Sequence, residues 1–280
     1  MTPLLERDIL AHQHHVPWGQ FRQVEQDLQL CRAIQAIFSD KFLSSQVAMR
    51  GGTLLHKVHL APPARYSEDI DLVLFGDRPA DHVQKGLVRV LEPVLGRPKL
   101  SLEESVRLTL RNTFRPSRLL RLSYKVPTVI EPGAALSIKV EVNVDERKSH
   151  RPIVVLPFAV PYQGGKLEAS LNGYELHEML GTKMRALFQR KAGRDLFDLY
   201  WALSQHAEVE PVEVIASFSF YLLREGSVPR RQAFVDGLRE RLADRSFCTE
   251  MTQLLRKGLS YDAQVAGAYI EARLLSLLPP

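Results

Sequence analysis

What the chain lacks narrows the field first. Its 2 cysteines, Cys31 and Cys248, lie far apart. That supplies neither a metal-ligand spacing nor a disulfide framework, so the expected compartment is a reducing cytoplasm. No apolar run approaches the length of a membrane span, and the N-terminus carries no signal-peptide pattern, so no membrane partner is expected. Internal repeats and low-complexity tracts are absent as well. Charge of one sign is scarce: 37 basic against 32 acidic residues leave +5, which permits a polyanionic partner without requiring one. What remains is an ordinary globular composition, 45% hydrophobic and 25% charged, over 280 residues. One large or two modest domains fit that length.

Along the chain, residues 1–20 are polar and read as a solvated segment, including the His12–His15 cluster. Helical spacing of apolar residues runs from Phe21 to Phe42, and a strand fits Gln46 to Met49. A short helix is expected from Thr53, its N-cap, to Leu60, where Ala61-Pro62-Pro63 ends it. Asp69 to Phe75 reads as a strand, Ala80 to Leu91 as a helix, and the stretch from about Leu100 to Val144 as further strands. Pro152 to Pro161 is strand-like, and beyond Gly165 the pattern is mostly helical. The expected division is residues 1–165, mixing strands and helices, and residues 166–280, an α-helical bundle: an α+β protein.

The stretch with most chemistry is Met49 to Phe75. Gly51-Gly52-Thr53 forms a turn at the head of a helix. Its bare backbone lets an anion approach closely, and a helix N-terminus favours negative charge. Asp69 and Asp71 follow, one residue apart at the start of an apolar strand. Alternation along a strand points both to one face, where two carboxylates repel unless a cation lies between them. Hard divalent ions suit such oxygens and keep positions for phosphates. Ser67, two residues before Asp69, reads either as a further group on that face or as a loop hydroxyl.

G-G-T followed by S-x-D-x-D is similar to the core signature of the nucleotidyltransferase superfamily. The wording here, with R-Y-S-E-D-I-D-L, resembles its AbiEii branch of toxin–antitoxin and phage-defence toxins, which includes MenT-like toxins. Three later segments extend the resemblance: S-I-K-V-E-V-N from Ser137, E-L-H-E-M-L-G-T-K-M-R-A-L from Glu175, and G-R-D-L-F-D-L-Y from Gly193. The four blocks span a little over half the chain. The resemblance implies a nucleotidyltransferase-fold mixed sheet with flanking helices and a C-terminal helical bundle. It implies transfer of a nucleotide from an NTP, with Mg²⁺ or Mn²⁺, to an acceptor hydroxyl, and growth inhibition as the outcome. RNA, foremost the 3′ end of tRNA, is the implied acceptor, and a cognate antitoxin the implied partner. By the same resemblance Asp69 and Asp71 hold metal, while Gly51, Gly52, Thr53 and Ser67 face the phosphates.

The later blocks have readings of their own. In Lys139-Val140-Glu141-Val142-Asn143, alternation separates a buried valine face from Lys139, Glu141 and Asn143, as any half-exposed strand would. The resemblance makes Glu141 the third acid, a base for the attacking hydroxyl. Asn172 reads as an N-cap, with Glu175 completing a capping-box-like start to the next helix. Lys183 falls within the apolar stripe of Leu176, Met179, Leu180 and Leu187, which is costly unless it is paired or lines a cleft. Methionine would suit that stripe equally. The resemblance gives Lys183 to the triphosphate and Asp195 to orienting it. Asp198 is expected to point outward, within reach of Arg194. Finally, Ser105 to Ile130 holds Arg111, Arg115, Arg118 and Arg121 among its basic residues and no acid, which reads as a groove for RNA phosphates. Two rival readings stay open. One is a nucleotidyl- or phosphotransferase acting on a protein or small molecule; the other is a non-catalytic relic that binds nucleic acid or a partner.

Overall fold

A computed structural model describes the backbone of residues 3–108 and 114–280, and the side chains of 3–102 and 118–280. Two compact units emerge. The first comprises Met1–Ser105, Ser117–Lys148 and Ile153–Tyr174; the second comprises Val106–Pro116, Ser149–Pro152 and Glu175–Pro280.

The strands are β1 (Val47–Arg50), β2 (Asp69–Leu74), β3 (Lys99–Leu108), β4 (Phe114–Pro127), β5 (Ala135–Asn143), β6 (Val154–Tyr162) and β7 (Gly165–Gly173). They form a seven-stranded sheet in the order β3-β4-β5-β2-β1-β7-β6. The sheet is mixed: β2 pairs parallel with β5 and β1 with β7, whereas β1–β2, β4–β5 and β6–β7 are antiparallel. Central position explains composition. Leu72, Val73 and Leu74 of β2 and Val47 to Met49 of β1 are buried on both faces. In β5 the expected alternation holds, with Leu136, Ile138, Val140 and Val142 fully buried and Lys139 exposed between them.

Helices α1 (Glu6–Gln13), α2 (Phe21–Ser39), α3 (Lys41–Ser44), α4 (Gly51–Leu54) and α5 (Ala80–Leu95) accompany the sheet. The long α2 packs against α5, β5 and β7, and its Leu28, Ile34 and Ile37 are buried. The second unit holds α6 (Leu176–Gln189), α7 (Gly193–Gln205), α8 (Pro211–Glu225), α9 (Arg231–Leu242), α10 (Arg245–Thr249) and α11 (Ala263–Arg273). Its core includes Phe197, Phe218 and Phe234. Among the described residues no helix is long and apolar enough to cross a membrane.

Three local expectations are corrected. Asn172 lies in β7 and donates to the Ser44 carbonyl at 2.7 Å. Glu175 itself caps α6, accepting from the His177 and Glu178 backbone. Residues 1–20 are not simply solvated: α1 buries Asp8, Ile9 and His12. The sequence hid this because the partner of His12 lies 15 residues on in α2.

That partner is Asp27, wholly interior. It accepts from His12 Nε2 at 2.8 Å, Trp18 Nε1 at 2.9 Å and Lys57 Nζ at 2.5 Å. Burial alone would raise its carboxyl, but the Lys57 ammonium and His12 outweigh that and hold it well below the usual range. His12, Asp27 and Cys31 also bring possible ligand atoms within 4.8 Å of one another. Lys57 already supplies the cation there, and burial pushes the Cys31 thiol up to about 12, so the cluster acts as an internal clamp. Asp27→Ala would strand the Lys57 charge and is expected to cost about 3–5 kcal/mol in denaturant unfolding at pH 7. The wild-type contribution is present above the unfolded carboxylate value of about 4. It should fade as pH falls below that towards the lowered folded value.

Candidate active site

Arg50 ends β1, and the chain turns at once into α4. Gly51 makes the turn with φ +79°, where a Cβ would lie 1.9 Å from Asp71 Oδ2. Both the dihedral and the crowding demand glycine. A Cβ on Gly52 would meet Arg65 Nη2 at 2.6 Å and Ser67 Oγ at 3.0 Å. The backbone at this turn is therefore pressed against the strand that bears the aspartates. The helix begins at Gly51 rather than at Thr53, and it widens into a π-helical turn over Leu55–His59, a distortion often found near functional sites. Thr53 is fully buried. Its hydroxyl lies 2.5 Å from the Asp69 carbonyl and 2.9 Å from Ser67 Oγ. The single proton serves the carbonyl, so Thr53 ties the turn to β2 and Ser67 sits beside it.

Register assembles the acids. Asp69 pairs with Lys139 and Asp71 with Glu141 in parallel strands. Paired residues share a face, so Asp69, Asp71 and Glu141 stand together beside the Gly51–Gly52 turn. Burial, then the Asp71 charge, raise the Asp69 carboxyl to about 6; Lys139 opposes this and Glu141 adds to it. A carboxylate raised by burial and a neighbouring like charge fits a divalent cation, which takes oxygen ligands and neutralises them. Asp69 and Asp71 are the residues that could hold it.

Arg50 and Arg121 flank the acids. Arg50 pairs in register with Asp71 and contacts Glu146 at 3.0 Å. Arg121 faces Glu141 across β4–β5 and donates to it at 2.6 Å. Sequence reading placed Arg121 in an uncompensated basic run and passed over Arg50. The compensating acids sit on the neighbouring strand or just beyond its end, where a one-dimensional count misses them. Arg118 likewise pairs with Asp145, at 3.2 Å through Nε. Arg111 lies outside the described residues, and of Arg115 only the backbone is described.

The remaining candidates belong to the second unit. Lys183 lies 3.2 Å from Asp195 and 2.8 Å from Asp198, both acids fully buried. Arg190 grips Asp195 with Nε at 2.7 Å and Nη2 at 2.9 Å, a bidentate geometry. Burial would raise the Asp195 carboxyl, but Lys183 and Arg190 hold it below its ordinary value. Asp198 therefore does not point outward; it turns in to the lysine one helix away. From sequence Arg190 belongs to a second basic cluster with Lys183, Arg185, Lys191 and Arg194; its pairing with Asp195, five residues on, comes from the structure.

Three comparisons bear on this arrangement. A family model described as nucleotidyl transferase AbiEii toxin, type IV TA system, matches residues 32–267. Among solved structures, the chain is similar to MenT4, a nucleotidyltransferase toxin from Mycobacterium tuberculosis H37Rv. The TM-score is 0.64 at 19% identity, over 99% of this chain and 91% of that one, a likeness of fold. No curated protein matches.

Proposed function

This chain belongs to the AbiEii nucleotidyl transferase toxin family of type IV toxin–antitoxin systems, and from that premise we propose that it transfers a nucleotide to the 3′ end of an RNA, foremost a tRNA. The observation that carries the reading is the strand register that gathers Asp69, Asp71 and Glu141 on one face against the Gly51–Gly52 turn.

The acceptor hydroxyl attacks the α-phosphate of the NTP. The new bond joins that oxygen to the α-phosphorus, the bond to the β-phosphate oxygen breaks, and pyrophosphate leaves. Glu141 accepts the hydroxyl proton, since it is the carboxylate on the strand next to Asp71. Asp69 and Asp71 would hold Mg²⁺, or Mn²⁺ in its place, which when bound offsets triphosphate charge and orients the reacting groups. Gly51 and Gly52 would offer their backbone to phosphate oxygens, and Thr53 and Ser67 keep that turn fixed to β2. Lys183 is assigned to triphosphate charge by family resemblance, and the ion pairs to Asp195 and Asp198 support a role in which the acids orient it. Arg118, with a side chain 57% exposed, is the described candidate for an RNA phosphate; Arg111 and Arg115 stay assigned from sequence. Activity in the cytoplasm and control by a cognate antitoxin complete the reading.

The test is incubation of the full chain with Mg²⁺, total RNA and each NTP, labelled in turn at the α- and γ-phosphate. RNA labelled only from the α-position, at its 3′ end, is the expected result. Label on a protein, or transfer from the γ-position, would replace this reading by the alternative transferase.

A further inference from the structure

One row of charge crosses four neighbouring strands. Arg50 pairs with Asp71, Asp71 with Glu141, and Glu141 with Arg121. All four side chains therefore stand on the same face of the sheet. At one end of the row Arg50 is engaged by Glu146, which also accepts from Asn143 at 3.1 Å. At the other end Arg121 Nε donates to Glu141 Oε1 at 2.6 Å, the length of a strong charge-assisted bond. That pair is largely but not wholly covered, with side-chain exposures of 25% and 19%.

The position of this bond distinguishes it from an ordinary cross-strand pair. Glu141 has like charges on its β2 side, from Asp71 directly opposite and Asp69 two residues away. Repulsion from that side would swing a flexible glutamate away from the acid cluster. The guanidinium on β4 attracts it in that same direction, in a planar geometry suited to a carboxylate, so the two effects together fix one orientation. A partly exposed ion pair adds little to stability, so its value lies in orientation. We infer that Arg121 is a positioning residue for nucleotide transfer, holding the Glu141 carboxylate in the one orientation from which it can take the proton of the acceptor hydroxyl. The inference rests on the transferase reading above. It moves Arg121 from the RNA-binding run into the support of the acid cluster.

The test compares Arg121→Met, Arg121→Lys, Glu141→Gln and the double variant Arg121→Met/Glu141→Gln in the full chain. Arg121→Met should lower kcat by about 10- to 100-fold, the usual cost of removing a supporting partner, with little change in KM for the NTP. Arg121→Lys should recover part of the loss. The double variant should be no slower than Glu141→Gln alone, because residues that act through one another are non-additive. RNA binding measured without NTP or metal should keep its affinity and salt slope in Arg121→Met. Additive losses in the double variant would overturn the inference. So would a salt slope flattened by about one unit, the mark of a lost phosphate contact. Should Arg121→Met fail to fold in a melting experiment, Arg121→Lys combined with Glu141→Gln carries the same cycle. A fully active Arg121→Met alongside an active wild type overturns this inference alone. A wild-type chain that labels nothing overturns the transferase reading, and this one with it.

Discussion

Asp71→Asn is expected to reduce nucleotide transfer by about 10³-fold or more, equivalent to ~4 kcal/mol of transition-state stabilisation. Asp69→Asn should do the same. Both changes keep the side-chain shape, and Asp71 is crowded by the Gly51 turn, so asparagine is the substitution that preserves packing. Thermal melting without metal separates activity from folding. Burial and the Asp71 charge raise the Asp69 carboxyl to about 6. For a raised acid the sign is clear: its stabilising effect is complete below the unfolded value of about 4 and is lost as pH rises through the folded one. Metal-free Asp69→Asn should therefore be more stable than wild type at pH 8, by about 1–2 kcal/mol after allowance for solvent screening, and the advantage should vanish only below about pH 4. Near-normal transfer by both variants would remove the metal site from Asp69 and Asp71.

Lys183→Met is expected to destabilise the second unit by about 3–5 kcal/mol at neutral pH. Apolar spacing alone suggests a tolerated change, since methionine fits between Met179 and Leu187. The tertiary structure reverses that expectation. Asp195 and Asp198 are fully buried and lie 3.2 and 2.8 Å from the ammonium. Removing the lysine strands their charges, with Arg190 left to serve Asp195. The penalty should shrink as pH falls, because the stranded acids can then protonate. It should also shrink in Lys183→Met/Asp198→Asn, where one charge is removed together with its partner. Urea denaturation at pH 7 and pH 5 reads both effects. A fully stable Lys183→Met would mean that these ion pairs contribute nothing to folding.

Much of the acid cluster was legible in one dimension. Asp69 and Asp71 at the head of an apolar run dictate a strand with both carboxylates on one face, because side chains alternate across any strand. Gly51 next to Gly52 signals a backbone that no larger residue could follow, and the structure supplies the reason in Asp71. The period-2 pattern of Ile138, Val140 and Val142 placed Glu141 on the face opposite to theirs. These features are local, and local geometry follows from residue type.

What the sequence could not decide is who meets whom across strands and helices. Parallel pairing of β2 with β5 is what brings Glu141 beside Asp71, and antiparallel pairing of β4 with β5 is what turns Arg121 from a member of a basic run into the partner of that glutamate. The burial of His12 on Asp27, the inward turn of Asp198 and the bidentate grip of Arg190 are of the same kind. Charged side chains leave no periodic trace of their partners, because the strength of an ion pair depends on distance and burial rather than on separation along the chain. Residue type and spacing determined the elements and the faces on which the acids stand. Only the pairing of those elements decided which charges were neutralised, and therefore which residues position the chemistry.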